Sequence, residues 1–394
     1  MKGGFYSRLP VNASRYTHFS FLLVEIDSYA QKQLSIMSTS TNCKIIIDPR
    51  SSYAYGSFYL YGLIRLFGEA NVRFSMKPFR GLPDVGWNFR FIAVCQDQVT
   101  KYHIHTDDSW HIHEIDYEWC DVYGSVNANF KETPKEKYPK LVSLVPSFGI
   151  CAMTDSKAFI MAIDTFLSAM PTIIKRQEWN KYKNKMDRDV YKNIKHHFGK
   201  IYKTQKNRMP YTSYVEACDS LDDYIFFCST LWYDHPDNQN DKGVNLRRAI
   251  YMRTCKSMPN VHFDGGFVAD STSSKEKFAD LLTNGVNMSE WMRKTKLSAF
   301  VFNTPAFWNC HGWKLGEYLA LGKCIISTPL SNDLPAPLVH GVHIHYVEPN
   351  EKSISEAVEY ILSHKEYRKT LERNARAYWD KYGTPEQSLH LLGL

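Results

Sequence analysis

Lys314 and Glu317 stand one helical turn apart, directly behind His311-Gly312, in the stretch NCHGWKLGEYLALGKCIIST at residues 309–328. A lysine in the first turn of a helix opposes the helix dipole, so a purely structural lysine is disfavoured there. The same helix start offers unpaired N–H groups and a positive dipole end, both suited to a phosphate. Lys314 adds a mobile cation to that end, and Glu317 can accept hydrogen bonds from hydroxyls such as those of a ribose. An exposed i,i+3 ion pair would produce the same pattern. A second cluster is His103, His105, His111 and His113, which alternate with isoleucines around Thr106-Asp107-Asp108-Ser109. The alternation predicts a hairpin. Its four imidazoles could bind zinc from one face, or Ile104 and Ile112 could point inward and leave the histidines outside. The spacing matches no standard metal motif.

These residues need elements to hold them. Leu315, Tyr318 and Leu319 recur at helical spacing. Gly322 sits where a left-handed cap ends a helix. Cys324–Ser327 and Ala299–Phe302 are apolar without alternation, as buried parallel strands are. The unit is therefore strand, polar loop 303–312, helix, strand. In a parallel sheet its loop and helix start lie at the carboxyl edge, where ligands bind.

The chain of 394 residues exceeds a typical single core and predicts about two domains. Its net charge of +7 suits an anionic small ligand or weak attraction to an anionic membrane, and lacks the dense basic run of a nucleic-acid binder. Nine cysteines, with no C-x-x-C, read as reduced core residues of a cytosolic protein. No stretch approaches a membrane span, and Phe19–Val24, followed by Glu25 and Asp27, makes a poor signal peptide. Residues 1–41 are Ser/Thr-rich without periodicity, so the expected natural start is Met37, or else 1–40 form a loose extension.

Along the chain, Lys44–Asp48 predicts a buried strand, followed by a loop and an amphipathic helix at about 57–68. Strands are predicted at Val72–Met76, Arg90–Cys95 and Leu141–Pro146. Residues 157–208 read as helical and basic; the face is solvated or rests on a membrane surface. A second α/β series starts at Asp223, with a strand at Tyr224–Ser229, a helix carrying Arg247 and Arg248, and a strand ending in Gly265-Gly266. A long helix at Glu366–Tyr382 and a short one at Pro385–Leu392 close the chain. Among the first half's carboxylates, Asp97, Asp107, Asp108 and Asp121 could serve as a general base. Asp107 and Asp108 suit a turn. Asp121, before Val122-Tyr123-Gly124, is the chosen candidate.

FVFNTPAFWNCHGWKLGEYLALGKCIIST resembles the C-terminal signature of GT-B glycosyltransferases, group 1. Pro305, Gly312, Glu317 and Gly322 match its proline, inner glycine, second glutamate and pre-strand glycine. Asn309 stands where that family carries its first glutamate, which touches the donor sugar, so the stereochemical outcome and the sugar stay open. DKGVNLRRAI resembles the Lys-Gly step before the donor domain's first helix, at Lys242-Gly243. The arginine usually found after the preceding strand is missing, and Arg247 or Arg248 could take over the diphosphate. VHFDGG resembles the strand and glycine turn near the base, where Gly265, Gly266, Asn303 and Thr304 would leave room. His311 could reach the phosphate or sugar, or simply cap the helix. EWCDVYGSVN and YPKLVSLVPSFGI resemble exostosin-like or bacterial polysaccharide transferases.

The resemblance implies two Rossmann-like domains facing a cleft. Residues 42–215 would form the acceptor side with a helical connector, 216–375 the nucleotide-sugar domain, and 376–394 helices returning to the first domain. It implies a metal-independent sugar transfer with a nucleotide-diphosphate sugar as co-substrate and no other cofactor. The expected partners are that donor, a glycan or lipid-linked acceptor, and a peripheral membrane contact through 175–208, with no nucleic acid. The expected location is the cytoplasm, at the inner membrane face, in surface polysaccharide or glycoconjugate synthesis. A nucleotide-sugar epimerase of the same fold, a zinc-dependent hydrolase using the histidine hairpin, and a non-catalytic sugar-nucleotide binder are the alternatives.

Overall fold

Short apolar runs in the first half assemble into a six-stranded sheet in the computed structural model of the protein, which describes residues 43–83, 86–173, 198–217, 219–232, 243–269 and 276–394. Its strands are β1 (Cys43–Ile47), β2 (Val72–Phe74), β3 (Phe89–Cys95), β4 (Gln98–His105), β5 (Val122–Ser125) and β6 (Leu141–Ser143). Their order is β2-β1-β3-β4-β5-β6. β1 runs parallel to β2, and β4, β5 and β6 are parallel to one another. β3 is antiparallel to β4, and Gln96 and Asp97, both at positive φ, make the tight two-residue turn between them. Residues 44–394 form one compact unit. Residues 1–42, most of the basic stretch 175–208 and Lys242 lie outside the described residues.

The true hairpin therefore lies before the histidines. His103 and His105 end β4, whereas His111 and His113 sit in a loop ahead of a short helix, Glu114–Trp119. The expected four-histidine face does not form. The loop carries Asp107 and Ser109, whose backbone N–H bonds the Asp107 carboxylate two residues back, a local turn that competes with strand pairing.

The helix after β1, α1 (Tyr53–Phe67), and α2 (Glu114–Trp119) belong to the first half, as do α3 (Asp155–Ile173) and α4 (Tyr211–Val215). The second half pairs β7 (Tyr224–Leu231) in parallel with β8 (His262–Ala269). There β10 (Ile325–Ser327) lies parallel to both β9 (Val301–Asn303) and β11 (His345–Tyr346). Its helices are α5 (Val244–Ser257), α6 (Met288–Leu297), α7 (Trp313–Ala320), α8 (Glu351–Ser363), α9 (Lys365–Tyr382) and α10 (Pro385–Leu391). One core joins Ile225, Phe227, Phe302 and Ile326 to Met252 and Cys255 of α5 and to Ile354 and Val358 of α8. The Tyr251 ring stacks on Phe302 at 4.1 Å. Gly322 closes α7 at φ 60, as its position predicts.

The C-terminal helices return to the first half. Trp379 of α9 is fully buried beside Phe58 and Phe148, and its Nε1 donates to the Tyr211 hydroxyl at 3.1 Å. α10 packs on α1, where Arg65 pairs with Glu386 at 3.1 Å. α7 meets the first half as well: a Cβ on Gly316 would collide with the Pro146 carbonyl oxygen.

Cys43 and Cys95 are each disulfide-bonded, against the reduced state expected of all nine cysteines, while Cys120, Cys151, Cys228, Cys255, Cys310 and Cys324 stand outside any disulfide.

Gly316→Ala should cost about 1–3 kcal/mol in urea unfolding, because the backbone of two elements must part. Gly199→Ala, where nothing lies within 4 Å of the added atom, should be neutral or stabilising. Equal midpoints for the two variants would show that α7 does not depend on this approach.

Candidate active-site cleft

The carboxyl ends of β7 and β9 and the start of α7 open onto a cleft of about 410 Å³. An adjoining cavity of about 710 Å³ shares Arg208, Ser229, Thr230, Lys314 and Glu317 with it. The second half supplies Asn303, Thr304, Gly312, Trp313, Lys314 and Glu317, and the first supplies Tyr55, Asp108 and Arg208. Gly312 is the N-cap of α7 in extended conformation, and no side chain caps the helix. The first turn of α7 therefore lies beside the cleft with its N–H groups toward that end; that of Leu315 donates to the Gly312 carbonyl at 3.1 Å.

Lys314 and Glu317 are not an exposed ion pair. Glu317 is only 5% exposed and accepts from the Tyr214 hydroxyl at 3.3 Å. Burial raises its carboxyl pKa, against the pull of Lys314. Lys314 places Nζ 5.4 Å from the centre of the Trp291 ring. Burial lowers its pKa, with Glu317 opposing and Arg248 and Arg208 adding to the fall. The arrangement gathers Lys314, Arg208 and Arg248 around a space whose acids, Asp108 and Glu317, are both driven toward neutrality by burial. Three cations facing two acids of raised pKa make this an electropositive space, which favours an anionic ligand.

Several supports set these positions. The Arg208 guanidinium lies 4.5 Å over the Trp313 ring, and Tyr55 meets the same ring edge-on at 4.9 Å. Asn303 donates to the Ser327 hydroxyl at 2.9 Å. Thr304 Oγ1 lies 2.9 Å from Arg247 Nε and 2.8 Å from Thr328 Oγ1. Arg248, 6% exposed, donates to the Thr230 carbonyl at 3.4 Å and lines the cleft. Arg247 spends its guanidinium on Thr304 and the Pro305 carbonyl, so it braces the loop.

Other expected positions fall elsewhere. Asp121 precedes β5 at the amino edge of the sheet, exposed, with its carboxylate taken by the Lys101 backbone N–H at 2.8 Å. The cleft lies at the opposite edge, so Asp121 is no acceptor-side base. His311 is 3% exposed in the junction between halves, where its backbone N–H donates to Asn127 Oδ1 at 2.7 Å. Burial pushes its imidazole pKa down to about 4, so the ring is neutral near pH 7 and does not line the cleft. Gly265 and Gly266 lie within β8, where side chains would strike the carbonyls of Phe227 and Leu281. They serve close strand packing, not a turn over a base. Asn309, at φ 59, offers its carbonyl to Asn332 Nδ2 at 3.4 Å and stands outside the cleft lining.

Sequence reasoning missed Arg208, Tyr55 and Trp313. Arg208 hides in a basic run with the composition of a solvated face. Trp313 carried a signal, since an aromatic at the first position of a ligand-binding helix start has little to bury locally.

No family model matches the sequence, and no curated protein matches it. Solved structures do align. One is the C-terminal domain of the glycosyl transferase group 1 family protein LpcC from Francisella tularensis, at 14% identity and TM-score 0.31, covering 40% of this chain and 85% of that one. A glycosyltransferase from Rickettsia africae ESF-5 aligns at 12% identity and TM-score 0.35, covering 68% of this chain and 60% of that one. UDP-GlcNAc 2-epimerase from Neisseria meningitidis, bound to UDP-GlcNAc, aligns at 12% identity and TM-score 0.36, covering 70% and 62%. The chain thus spans under two thirds of the last two. Glycosyltransferases and an epimerase both stand among the structures it aligns with.

Proposed function

We propose that the protein is a glycosyltransferase that moves a sugar from a nucleoside-diphosphate donor to a hydroxyl of a glycan or lipid-linked acceptor. The observation that carries this reading is the convergence of Lys314, Arg208 and Arg248 on the start of α7, with buried Glu317 one turn further on. As the bond from the anomeric carbon to the diphosphate oxygen breaks, negative charge grows on that oxygen. Lys314, the two arginines and the helix start stabilise it, which is the work a divalent metal does in other transferases. Glu317 accepts from the ribose hydroxyls. Asn303 and Thr304 border the donor from the β9 end.

The acceptor approaches from the first half. Asp108 lines the cleft there and replaces Asp121 as the base. Burial raises its pKa, with a hydrogen bond from the Cys310 thiol at 3.4 Å working against the rise. It takes the acceptor hydroxyl proton as the new C–O bond forms.

Among the described residues no helix is long and apolar enough to cross a membrane. We place the reaction on the cytoplasmic side, in surface polysaccharide or glycoconjugate synthesis. The disulfide bonding of Cys43 and Cys95 is the feature that runs against a reducing compartment. Exposed Phe159, Ile160 and Leu167 on α3 suit a peripheral membrane contact together with the basic stretch 175–208.

Incubation with a panel of nucleotide sugars and hydroxyl acceptors, followed by product analysis, tests the reaction. Transfer supports it, an isomerised sugar makes the chain an epimerase, and neither product leaves a binder. Donor binding itself should be unchanged by EDTA; loss restored by manganese would contradict the metal-free diphosphate site. Lys314→Ala should weaken nucleoside-diphosphate binding by one to two orders of magnitude, since a charge-assisted bond is worth roughly 1.5–3 kcal/mol. Glu317→Gln should weaken a nucleoside diphosphate but barely affect pyrophosphate. In calorimetry, wild-type affinity in both variants would remove this motif from the donor site.

The pH profile tests Asp108. Its raised pKa means that the active carboxylate is lost as pH falls through a value above the ordinary aspartate range. The acid limb of kcat/KM should therefore sit above the ordinary aspartate range, and Asp108→Asn should abolish turnover while donor affinity stays. An unaltered profile in that variant would assign the base elsewhere.

A further inference from the structure

The cleft leaves one cluster of ligand-bearing side chains unused. At the carboxyl end of β4, His105 Nε2 lies 2.6 Å from Asp107 Oδ1, and His113 Nε2 lies 3.3 Å from Asp107 Oδ2. One ligand atom from each of the three falls within 4.8 Å of the others. We propose that His105, Asp107 and His113 bind a divalent first-row metal ion of the zinc class, through two imidazole Nε2 atoms and a carboxylate oxygen.

Four features carry this assignment. The donor set of two histidines and one carboxylate is one that zinc and its neighbours use when a coordination position stays open. The Asp107 carboxylate reaches both rings, with Oδ1 2.6 Å from His105 and Oδ2 3.3 Å from His113, near the roughly 3.3 Å edge of a tetrahedron with ligands at about 2.0–2.1 Å, so a small turn of the carboxylate brings one oxygen to the ion. His105 is 1% exposed, and neither of its ring nitrogens makes a hydrogen bond of good geometry, although Nε2 faces Asp107. A buried imidazole in that state is costly unless something else uses the nitrogen. The ligands are also oriented from behind. His113 Nδ1 faces Asp116 Oδ2 at 3.8 Å, as carboxylates back metal-binding histidines. Asp116 is in turn held by Arg90 at 2.6 Å. Asp107 is fixed through its own carbonyl, which accepts from Asn127 Nδ2 at 2.9 Å. His113 is 41% exposed, so an ion can enter from that side.

The site does not depend on the donor assignment, since the probe is the metal alone. The full chain, freed of metal with a chelator, is titrated with zinc chloride by calorimetry. One equivalent should bind. His113→Ala and Asp107→Asn should each weaken binding by more than the roughly 10–100-fold that loss of an outer-shell partner costs. His111→Ala should bind as wild type, because His111 faces Ser109 and stacks on Trp110 instead. Circular dichroism confirms that each variant is folded, and His113→Gln stands in if the alanine is not. Cobalt(II) added to the wild-type chain gives a readout that needs no variant: weak visible bands without thiolate charge transfer. Absence of saturable binding, wild-type affinity in both ligand variants, or a thiolate spectrum pointing to the cysteines would overturn the proposal.

Discussion

The start of α7 can act on a ligand held between two halves because the helix touches the first half at a point where it has no side chain. Gly316 lets the backbone of α7 lie against the Pro146 carbonyl, just beyond β6. Everything at the cleft is measured from that contact. It fixes Lys314 and Glu317 relative to Arg208 and to the Tyr214 hydroxyl, which both come from the first half. Asn127 adds a second tie, donating to the Asp107 carbonyl while its Oδ1 accepts from the His311 backbone. The returning α9 and α10 then bury Trp379 and Leu389 against the first half, which resists separation of the two.

Held there, the charges have one economical resolution. Burial raises the carboxyl pKa values of Glu317 and Asp108 and lowers that of Lys314, so each of these groups would be charged more readily with an opposite charge beside it. A bound diphosphate would oppose the fall in the Lys314 pKa, since a nearby anion favours the charged lysine. Such tension is common where binding, not stability, sets the residue types.

The unit from Ala299 to Ser327 was legible because its signals are local: an apolar strand, a helical spacing and a glycine that must adopt positive φ. The same holds for the final helices. What failed was information carried by strand direction and by distant packing. Asp121 lies on the edge opposite the cleft because a strand's direction within its sheet does not follow from its composition. The hairpin was misplaced because its turn uses Gln96 and Asp97 at positive φ with no glycine to mark it. Gly265 and Gly266 looked like a turn, yet they answer the carbonyls of Phe227 and Leu281, which are far away in sequence. Arg208 could not be told from its basic neighbours until Trp313 lay beneath it. The histidine cluster was half legible, since two of its four imidazoles meet, around an aspartate that had been given to a turn.

In the reading proposed above, one anion is held jointly by the two halves at the start of α7. A crystal structure of the protein with a nucleoside diphosphate tests it most directly. Phosphate oxygens should lie within hydrogen-bond distance of the first-turn N–H groups of α7, of Lys314 Nζ and of the Arg208 guanidinium, with the ribose against Glu317. A nucleotide bound elsewhere, or phosphates that touch only the second half and leave Arg208 on Trp313 alone, would contradict it.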